Sequence, residues 1–292
     1  MILVGENINV MSKTFGPAIK ERDAKTIQKI AVEETQARVD YLDVNIGPAR
    51  KEGDQTMEWM VRTIQEVVDL PLSLDTTNPL AIEAGLKVHK GQALINSVSL
   101  QPERIEQTLP LVAQYNAKMI ALLWGHDGMP RDTDERAAFT AELVMYANQV
   151  GVPNEDIFVD PIVTPITSDV AQVVSCLECA GIVKEIVPGC KTLVGLSNVS
   201  SGTPDELRPV INRTYLAMLM KHNVDAAIVD SFDAELLSLA RGEMPEIVDV
   251  VHRIMDGEEP HMAALTKEQV AYAKTTKVLL GRVLYSHSWL EN

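Results

Sequence analysis

The sequence predicts an α/β fold of the (β/α)8 TIM barrel class, because three features of its hydrophobic pattern agree. Short apolar runs rich in β-branched residues recur along the chain, and each is too short to form a helix. Longer stretches with apolar residues three and four positions apart separate these runs. The runs begin roughly 22 to 39 residues apart, the size of one strand and helix unit, and 292 residues accommodate eight such units.

The eight apolar runs are interpreted as parallel strands. Their near-continuous apolar character is typical of strands that helices bury on both faces. A doubly wound open sheet is the alternative, but the turn after the first run, Asn7-Ile8-Asn9-Val10, lacks the glycine-rich pattern of such sheets. In chain order the predicted strands are Ile2–Ile8, Tyr41–Ile46, Pro71–Asp75, Ala93–Val98, Lys118–Trp124, Ile157–Val163, Thr192–Val199 and Ala226–Phe232.

The stretches between the strands are predicted to be amphipathic helices, the first of them capped by Asp23. The helix of the eighth unit is broken at Gly257-Glu258-Glu259-Pro260, so the barrel domain is predicted over residues 1–257. Residues 258–292 form a predicted C-terminal extension, in which Lys267 to Leu290 is a further helix packed on the barrel or on a dimer partner.

Composition excludes several classes of function. Lys and Arg number 26 against 41 Asp and Glu, a formal net charge of −15, and such a surface repels nucleic acid and anionic lipid. No apolar run approaches the roughly 20 residues that span a bilayer. Three cysteines and no apolar signal-peptide stretch after Met1 favour a reducing compartment, so the protein is expected to be cytoplasmic.

Polar residues end most of the predicted strands, where barrel enzymes carry their active sites. Lysine, histidine and cysteine are almost absent there, which disfavours Schiff-base and metal chemistry, so no bound metal is expected. An acidic turn after the eighth strand, Asp230-Ser231-Phe232-Asp233, disfavours a phosphorylated substrate. The candidate site residues at the strand ends are Glu6, Asp43, Asp75, Asn96, Asp160, Ser197 and Asn198.

Several carboxylates and amides together suit a flat, neutral heterocycle with several N–H donors, such as a pterin, because one carboxylate accepts two parallel hydrogen bonds. Any single Asp or Asn after a strand also serves as a helix cap or turn former, so the structural alternative holds for each one taken alone. The set of Asp75, Asn96, Asp160 and Asn198 favours the ligand interpretation.

Two motifs carry a family resemblance, Gly195-Leu196-Ser197-Asn198-Val199-Ser200 and Asn212-Arg213-Thr214, together with Leu74-Asp75-Thr76 and Asp160-Pro161. Over about Met1 to Ile254 the chain resembles the methyltetrahydrofolate:corrinoid protein methyltransferases. These belong to the pterin-binding, dihydropteroate synthase-like barrels, which include the folate domain of cobalamin-dependent methionine synthase.

The resemblance implies that Asp75, Asn96 and Asp160 recognise the pterin and that Asn198 reaches N5, the methyl-bearing nitrogen. The Asn198 amide can present either its NH2 or its carbonyl group, so it can follow N5 through both protonation states. The chain lacks an Asp-x-His-x-x-Gly cobalamin signature, so cobalamin is expected on a separate corrinoid protein. A homodimer is implied as well.

The direction of methyl transfer stays open. The resemblance allows transfer from a methylcorrinoid to tetrahydrofolate, in demethylation of methoxy aromatics or methylated amines such as glycine betaine, or the reverse in acetyl-CoA synthesis. A dihydropteroate synthase-like enzyme and a non-catalytic folate-binding protein are the alternatives. The chain has Gly5-Glu6-Asn7 where the family usually has Gly-Glu-Arg, which concerns the loops around the site.

Overall fold

The structure is a computed structural model that describes residues 1–13 and 15–291. In that part of the chain eight parallel strands pair in sequence order, and the last pairs with the first. The predicted (β/α)8 barrel is therefore confirmed. The strands are β1 (Ile2–Asn9), β2 (Tyr41–Asn45), β3 (Leu72–Asp75), β4 (Leu94–Val98), β5 (Lys118–Leu122), β6 (Ile157–Asp160), β7 (Lys191–Gly195) and β8 (Ala226–Val229).

Helices follow every strand and form the outer layer. The predicted cap is present, because the Asp23 carboxylate accepts a hydrogen bond from the Thr26 amide (3.3 Å). The helices are α1 (Gly16–Lys20), α2 (Ala24–Gln36), α3 (Gly53–Ile64), α4 (Pro79–Val88), α5 (Leu109–Gln114), α6 (Thr133–Gln149), α7 (Val170–Ile186), α8 (Arg208–Lys221), α9 (Ala234–Ala240), α10 (Pro245–Met255) and α11 (Lys267–Leu279).

The seventh strand is shorter than predicted, and the difference shapes the site. β7 ends at Gly195 instead of Val199, and Leu196–Ser200 forms a short 3-10 helix. The pairing with β8 stops at Gly195, opposite Ile228, so the polar residues after it leave the sheet. The apolar Leu196 and Val199 that suggested a strand are buried in the core from this helical turn.

The barrel interior is filled at the amino ends of the strands, where Lys118 and Lys191 begin β5 and β7. The Lys118 ammonium donates to the Tyr41 hydroxyl (3.0 Å) at this end. One apolar cluster here consists of Val4, Tyr41, Leu94, Ile120, Phe158, Leu193 and Ala226. A larger cluster lies between strands and helices. This packing closes the amino end and leaves the carboxyl end for polar groups.

The C-terminal extension packs on helices of the same chain. Ala273 of α11 is buried against Val250 and Ile254 of α10. The Trp289 side chain is buried, and its indole N–H donates to the Thr275 hydroxyl (3.0 Å). The predicted end of the helix over Lys267 to Leu290 is wrong, because α11 ends at Leu279. Gly281, with φ of +69°, follows this end. Asn292 lies outside the described residues.

The cysteines take structural positions. Cys176 and Cys179 lie on α7, and these two and Cys190 are buried and unpaired. Over residues 1–13 and 15–291, no three His, Cys, Asp or Glu side chains come together as a metal site would require. None of the helices in this described part is both long enough and apolar enough to cross a membrane.

Candidate functional site

The candidate site is a cavity of about 380 Å³ at the carboxyl ends of the strands. All of the side chains that the sequence singled out line it, so the structure brings the whole predicted set together. β1 contributes Glu6, β2 Asp43, β3 Asp75, β4 Asn96 and β6 Asp160, and the 3-10 helix after β7 contributes Ser197 and Asn198. Their role in binding a ligand remains a prediction.

On one wall of the cavity, Asp43 and Asp75 form a coupled pair of acids. The Asp43 carboxylate accepts hydrogen bonds from the Ser73 hydroxyl (2.6 Å) and the Asn96 amide (3.1 Å). The Asn45 amide donates to Asp75, which is also hydrogen bonded to Asp43. Burial raises the pKa of Asp43 to about 6, and burial plus the charge of Asp43 raises the pKa of Asp75 well above its usual range. Two carboxyl groups in one hydrogen bond share a proton.

Asp160 lies on the opposite wall and is buried. Its Oδ1 accepts a hydrogen bond from the Ile162 amide (2.8 Å), and burial raises its pKa to about 6. Gly195 permits a close approach here, because a Cβ atom at this position would lie 3.8 Å from Asp160 Oδ2 and 3.3 Å from Asn198 Nδ2. Asp160 and Asn198 therefore converge on the same part of the cavity.

Asn198 presents its side chain to the cavity from the 3-10 helix. The helix is held in place because the Val199 carbonyl accepts a hydrogen bond from the Ile166 amide (2.9 Å). The Asn198 side chain is exposed, and no group in the described part of the chain hydrogen bonds to its amide. The position is thus fixed by the backbone, while the amide is left to a ligand.

Glu6 and Ser197 join the first and seventh units. The Ser197 hydroxyl donates to Glu6 Oε1. Burial, together with the negative charges of Asp230 and Asp43, raises the pKa of Glu6 to about 7, although the hydrogen bond from Ser197 and the charge of Arg208 lower it. A carboxyl group with this pKa can exchange a proton near neutral pH.

A second lobe of about 750 Å³ adjoins the first and shares Glu6, Ser197 and Asn198 with it. Met11 and Phe15 form apolar parts of its wall, and the Arg208 guanidinium lies in it. The cavity therefore has a deep acidic lobe and an outer lobe that contains a cation.

Sequence reasoning missed several lining residues of both lobes. Asn45, the last residue of β2, and Asp230, which follows β8, lie at strand ends like the chosen residues but were not included in the candidate set. Arg208 begins α8, at a distance from any strand end, and nothing in the local pattern marked it. Asn9, at the end of β1, lines both lobes and was also overlooked.

In the wall of the outer lobe, Asn7 links β1 to the turn after β8. Its Nδ2 donates to Asp230 (2.8 Å) and its Oδ1 accepts from the Ser231 hydroxyl (2.6 Å). The Glu34 carboxyl group on α2 accepts hydrogen bonds from the backbone N–H of Asn7 (3.2 Å) and from the Ser231 hydroxyl (3.0 Å). Burial raises the pKa of Glu34 to about 8, so this carboxyl group is largely protonated at neutral pH.

Glu34→Gln is expected to flatten the pH dependence of stability. A carboxyl group with a pKa of about 8 when folded and 4.5 when unfolded makes unfolding easier as pH rises from about 4.5 to about 8. A glutamine can accept both hydrogen bonds and does not ionise, so between pH 5 and pH 8.5 the free energy of unfolding of the variant should rise by about 4 kcal/mol relative to that of the wild type. Urea unfolding at both pH values measures this, with Glu33→Gln, its half-buried neighbour, as control. An equal pH dependence in variant and wild type would contradict it.

Comparisons with known proteins agree with this architecture. Residues 5–230 match the family model described as pterin binding enzyme. The chain is 28% identical over 240 residues to a methylcorrinoid:tetrahydrofolate methyltransferase of Eubacterium limosum, covering 81% of this chain and 88% of that one. It is 27% identical over 240 residues to a methionine synthase of Mycobacterium tuberculosis, covering 78% of this chain but only 20% of that protein's length.

Solved structures share the fold. A dihydropteroate synthase of Coxiella burnetii in complex with pteroic acid superimposes with a TM-score of 0.65 at 14% identity, covering 83% of this chain and 92% of that one. A dihydropteroate synthase of Thermus thermophilus gives a TM-score of 0.63 at 20% identity, covering 83% and 93%. At these identities the likeness concerns the fold alone.

Proposed function

Because the chain belongs to the family of pterin-binding enzymes, we propose that it transfers a methyl group between N5 of tetrahydrofolate and the cobalt of a separate corrinoid protein. The observation that carries the proposal is the convergence of a buried Asp160 and an Asn198 amide, unpaired within residues 1–13 and 15–291, in one cavity lined by further acids and amides. The likeness to the Eubacterium methyltransferase over 81% of this chain supports it.

The deep lobe suits the pterin. The edge of a pterin carries adjacent N–H donors, and the carboxylates of Asp160 and of the pair formed by Asp43 and Asp75 can accept from them. The Asn96 side chain can both donate and accept hydrogen bonds, which the amide group of the pterin ring requires. Because the acids are held by neighbouring hydrogen bonds before a ligand arrives, little ordering is needed on binding.

The chemistry at N5 falls to Asn198 and Glu6. In the direction named for the Eubacterium relative, the N5 lone pair forms the new bond to the methyl carbon, and the bond from carbon to cobalt breaks with its electron pair remaining on cobalt. N5 then loses its proton. The Asn198 carbonyl accepts the N5 hydrogen bond before transfer, and its NH2 group donates to the unprotonated N5 afterwards. Glu6, with a pKa of about 7, is suited to take the proton.

The corrinoid partner must reach the mouth of the barrel. Three exposed apolar side chains stand in the loops there, after β1, β5 and β8: Met11 (82% exposed), Trp124 (37%) and Phe232 (48%). We place the docking surface on this rim. A homodimer and a cytoplasmic location belong to the same proposal, and a demethylation pathway is the direction we favour.

Anaerobic absorbance spectroscopy tests the reaction. The protein is mixed with cob(I)alamin and methyltetrahydrofolate, and separately with methylcobalamin and tetrahydrofolate. We expect conversion between the two cobalamin spectra that depends on the protein. Folate binding by calorimetry without transfer to free cobalamin or to any corrinoid protein would favour a non-catalytic folate-binding protein. Condensation of p-aminobenzoate with a pterin pyrophosphate would instead show a dihydropteroate synthase.

Arg208→Ala is expected to weaken binding of the folate tail selectively. The guanidinium lies in the outer lobe, where a tail leaving the pterin would pass, and it can pair with a glutamate carboxylate. Because this lobe is open to solvent, we expect a loss of about 10-fold in affinity for tetrahydrofolate and little change for 6-methyltetrahydropterin, which lacks the tail. Calorimetry with both ligands measures this, and Arg253→Ala on the outer helix α10 is the control. Equal losses for both ligands would contradict the assignment.

A further inference from the structure

Arg136 on α6 is a fully buried cation directly behind the candidate site. None of its hydrogen-bond acceptors is a carboxylate. The guanidinium donates to Pro161 O (2.8 Å), Ile162 O (3.3 Å), Asp132 O (3.4 Å), Ser175 Oγ (2.8 Å) and Gln172 Oε1 (2.7 Å). A buried charge is costly unless its donors are satisfied, and here neutral oxygens satisfy them.

Two of these acceptors belong to the turn that follows Asp160. The carbonyl groups of Pro161 and Ile162 are the ones before and after the Ile162 Cα atom, so together they define the backbone conformation of Ile162. That conformation is left-handed, with φ of +62°, which is unfavourable for a β-branched residue. By holding both carbonyl groups, Arg136 stabilises this conformation.

The Ile162 conformation in turn orients Asp160. In this conformation the Ile162 amide donates to Asp160 Oδ1 (2.8 Å), while Oδ2 lies on the cavity side beside Gly195. If the turn relaxed, the Ile162 amide would leave Oδ1, and the carboxylate would keep only its hydrogen bond with the Gly195 backbone, which holds it less firmly. Arg136 therefore acts on the Asp160 carboxylate indirectly, through the carbonyl groups of Pro161 and Ile162.

The charge of Arg136 also affects the ionisation of Asp160. The groups that face Asp160 from the outer helices are Arg136 on α6, Cys176 on α7 and Tyr215 on α8. Burial raises the pKa of the Cys176 thiol and of the Tyr215 phenol, so both are neutral. Of these three groups only the guanidinium is charged, and it opposes the rise in the Asp160 pKa that burial causes.

We propose that Arg136 is a positioning residue for ligand recognition, which sets the orientation and the ionisation of Asp160 without touching the ligand. This inference rests on the proposed function only in taking Asp160 as an acceptor for pterin N–H groups. It adds a residue that no strand-end pattern could reveal, since Arg136 lies in the first turn of the outer helix α6.

The test compares Arg136→Lys, Arg136→Gln and the double variant Arg136→Lys with Ile162→Gly. Lysine keeps the charge but cannot hold two carbonyl groups in one plane. We expect Arg136→Lys to weaken tetrahydrofolate binding by about 10-fold, and the added glycine, which adopts positive φ without strain, to restore most of it. Arg136→Gln should in addition move the pH at which binding is lost upward, because Asp160 then protonates at a higher pH.

Ser175→Ala is the matched control, because it removes an acceptor of Arg136 outside the turn. It should lower the melting temperature and leave folate affinity unchanged. Wild-type affinity in a folded Arg136→Lys variant would overturn the inference, as would a loss that glycine at 162 does not repair, or a lysine variant that fails to fold. Absence of tetrahydrofolate binding by the wild-type protein would instead refute the proposed function.

Discussion

Replacing Asn198 by alanine is expected to slow methyl transfer by about 100-fold or more, with a much smaller change in folate affinity. The Asn198 amide has no partner within the described part of the protein, so its hydrogen bonds are available to N5. A hydrogen bond that strengthens as charge develops at N5 contributes mainly in the transition state, so its loss lowers the rate more than the binding. Single-turnover kinetics with methylcobalamin, together with calorimetry for tetrahydrofolate, separate the two effects.

Asn198→Asp is the informative companion to the alanine variant. Aspartate keeps the shape of the side chain and its acceptor oxygen but loses the NH2 donor. It can therefore accept a hydrogen bond from the protonated form of N5 but cannot donate one to the unprotonated form. We expect the aspartate variant to retain folate binding and to show a transfer rate that depends on direction and pH. A rate in Asn198→Ala within about threefold of wild type would remove this residue from the chemical step.

Asp160→Asn is expected to weaken folate binding by about 10 to 100-fold, the second largest effect. The carboxylate can accept two hydrogen bonds from the pterin edge, whereas asparagine offers one acceptor and turns an NH2 group towards a donor. Wild-type affinity should fall as pH drops through about 6, where Asp160 becomes protonated, and the variant should lack this dependence. Calorimetry between pH 5 and pH 8 measures both.

The stability of the same variant distinguishes lost recognition from lost folding. Because burial raises the pKa of Asp160 from 3.8 to about 6, the folded state loses stability as pH rises from about 3.8 to about 6, and this loss persists at pH 8. Asparagine still accepts from the Ile162 amide and carries no charge, so the free variant should melt at an equal or higher temperature at pH 8. Asp156→Asn, in the short 3-10 helix just before the same strand, should change neither property. Unaltered folate affinity in Asp160→Asn would contradict its assignment.

Most of the fold was predictable because each strand is marked by its own apolar run. The starts of the strands agree within one residue, since helix caps and turns precede them. The ends were less predictable where the apolar pattern continues past the sheet. Val199 looks like a strand residue in sequence, yet it packs in the core from a 3-10 turn, because only tertiary contacts decide which way a buried apolar residue points.

The candidate site was predictable to the extent that barrel geometry gathers strand ends at one mouth. Asp75, Asn96, Asp160 and Asn198 followed from that rule. Arg136 and Arg208 did not, because they come from the outer helices and their approach to the cavity depends on three-dimensional packing. Acidic residues with a raised pKa, such as Glu34, could not be predicted from the sequence either, because burial rather than sequence position raises their pKa.

Each of the eight strands, or the turn that follows it, contributes at least one lining residue to the cavity, and the strands form a closed ring. The wall formed by Asp43, Asp75 and Asn96 comes from three consecutive strands. The complete site also needs β1, β6 and the turn after β7, so no short segment of the chain contains all of it. The recognition groups come together only when β8 has paired with β1, the contact between the most distant parts of the barrel in sequence. A ligand that bridges these walls binds only the completed ring, so it stabilises the final step of assembly and leaves partly folded chains unaffected.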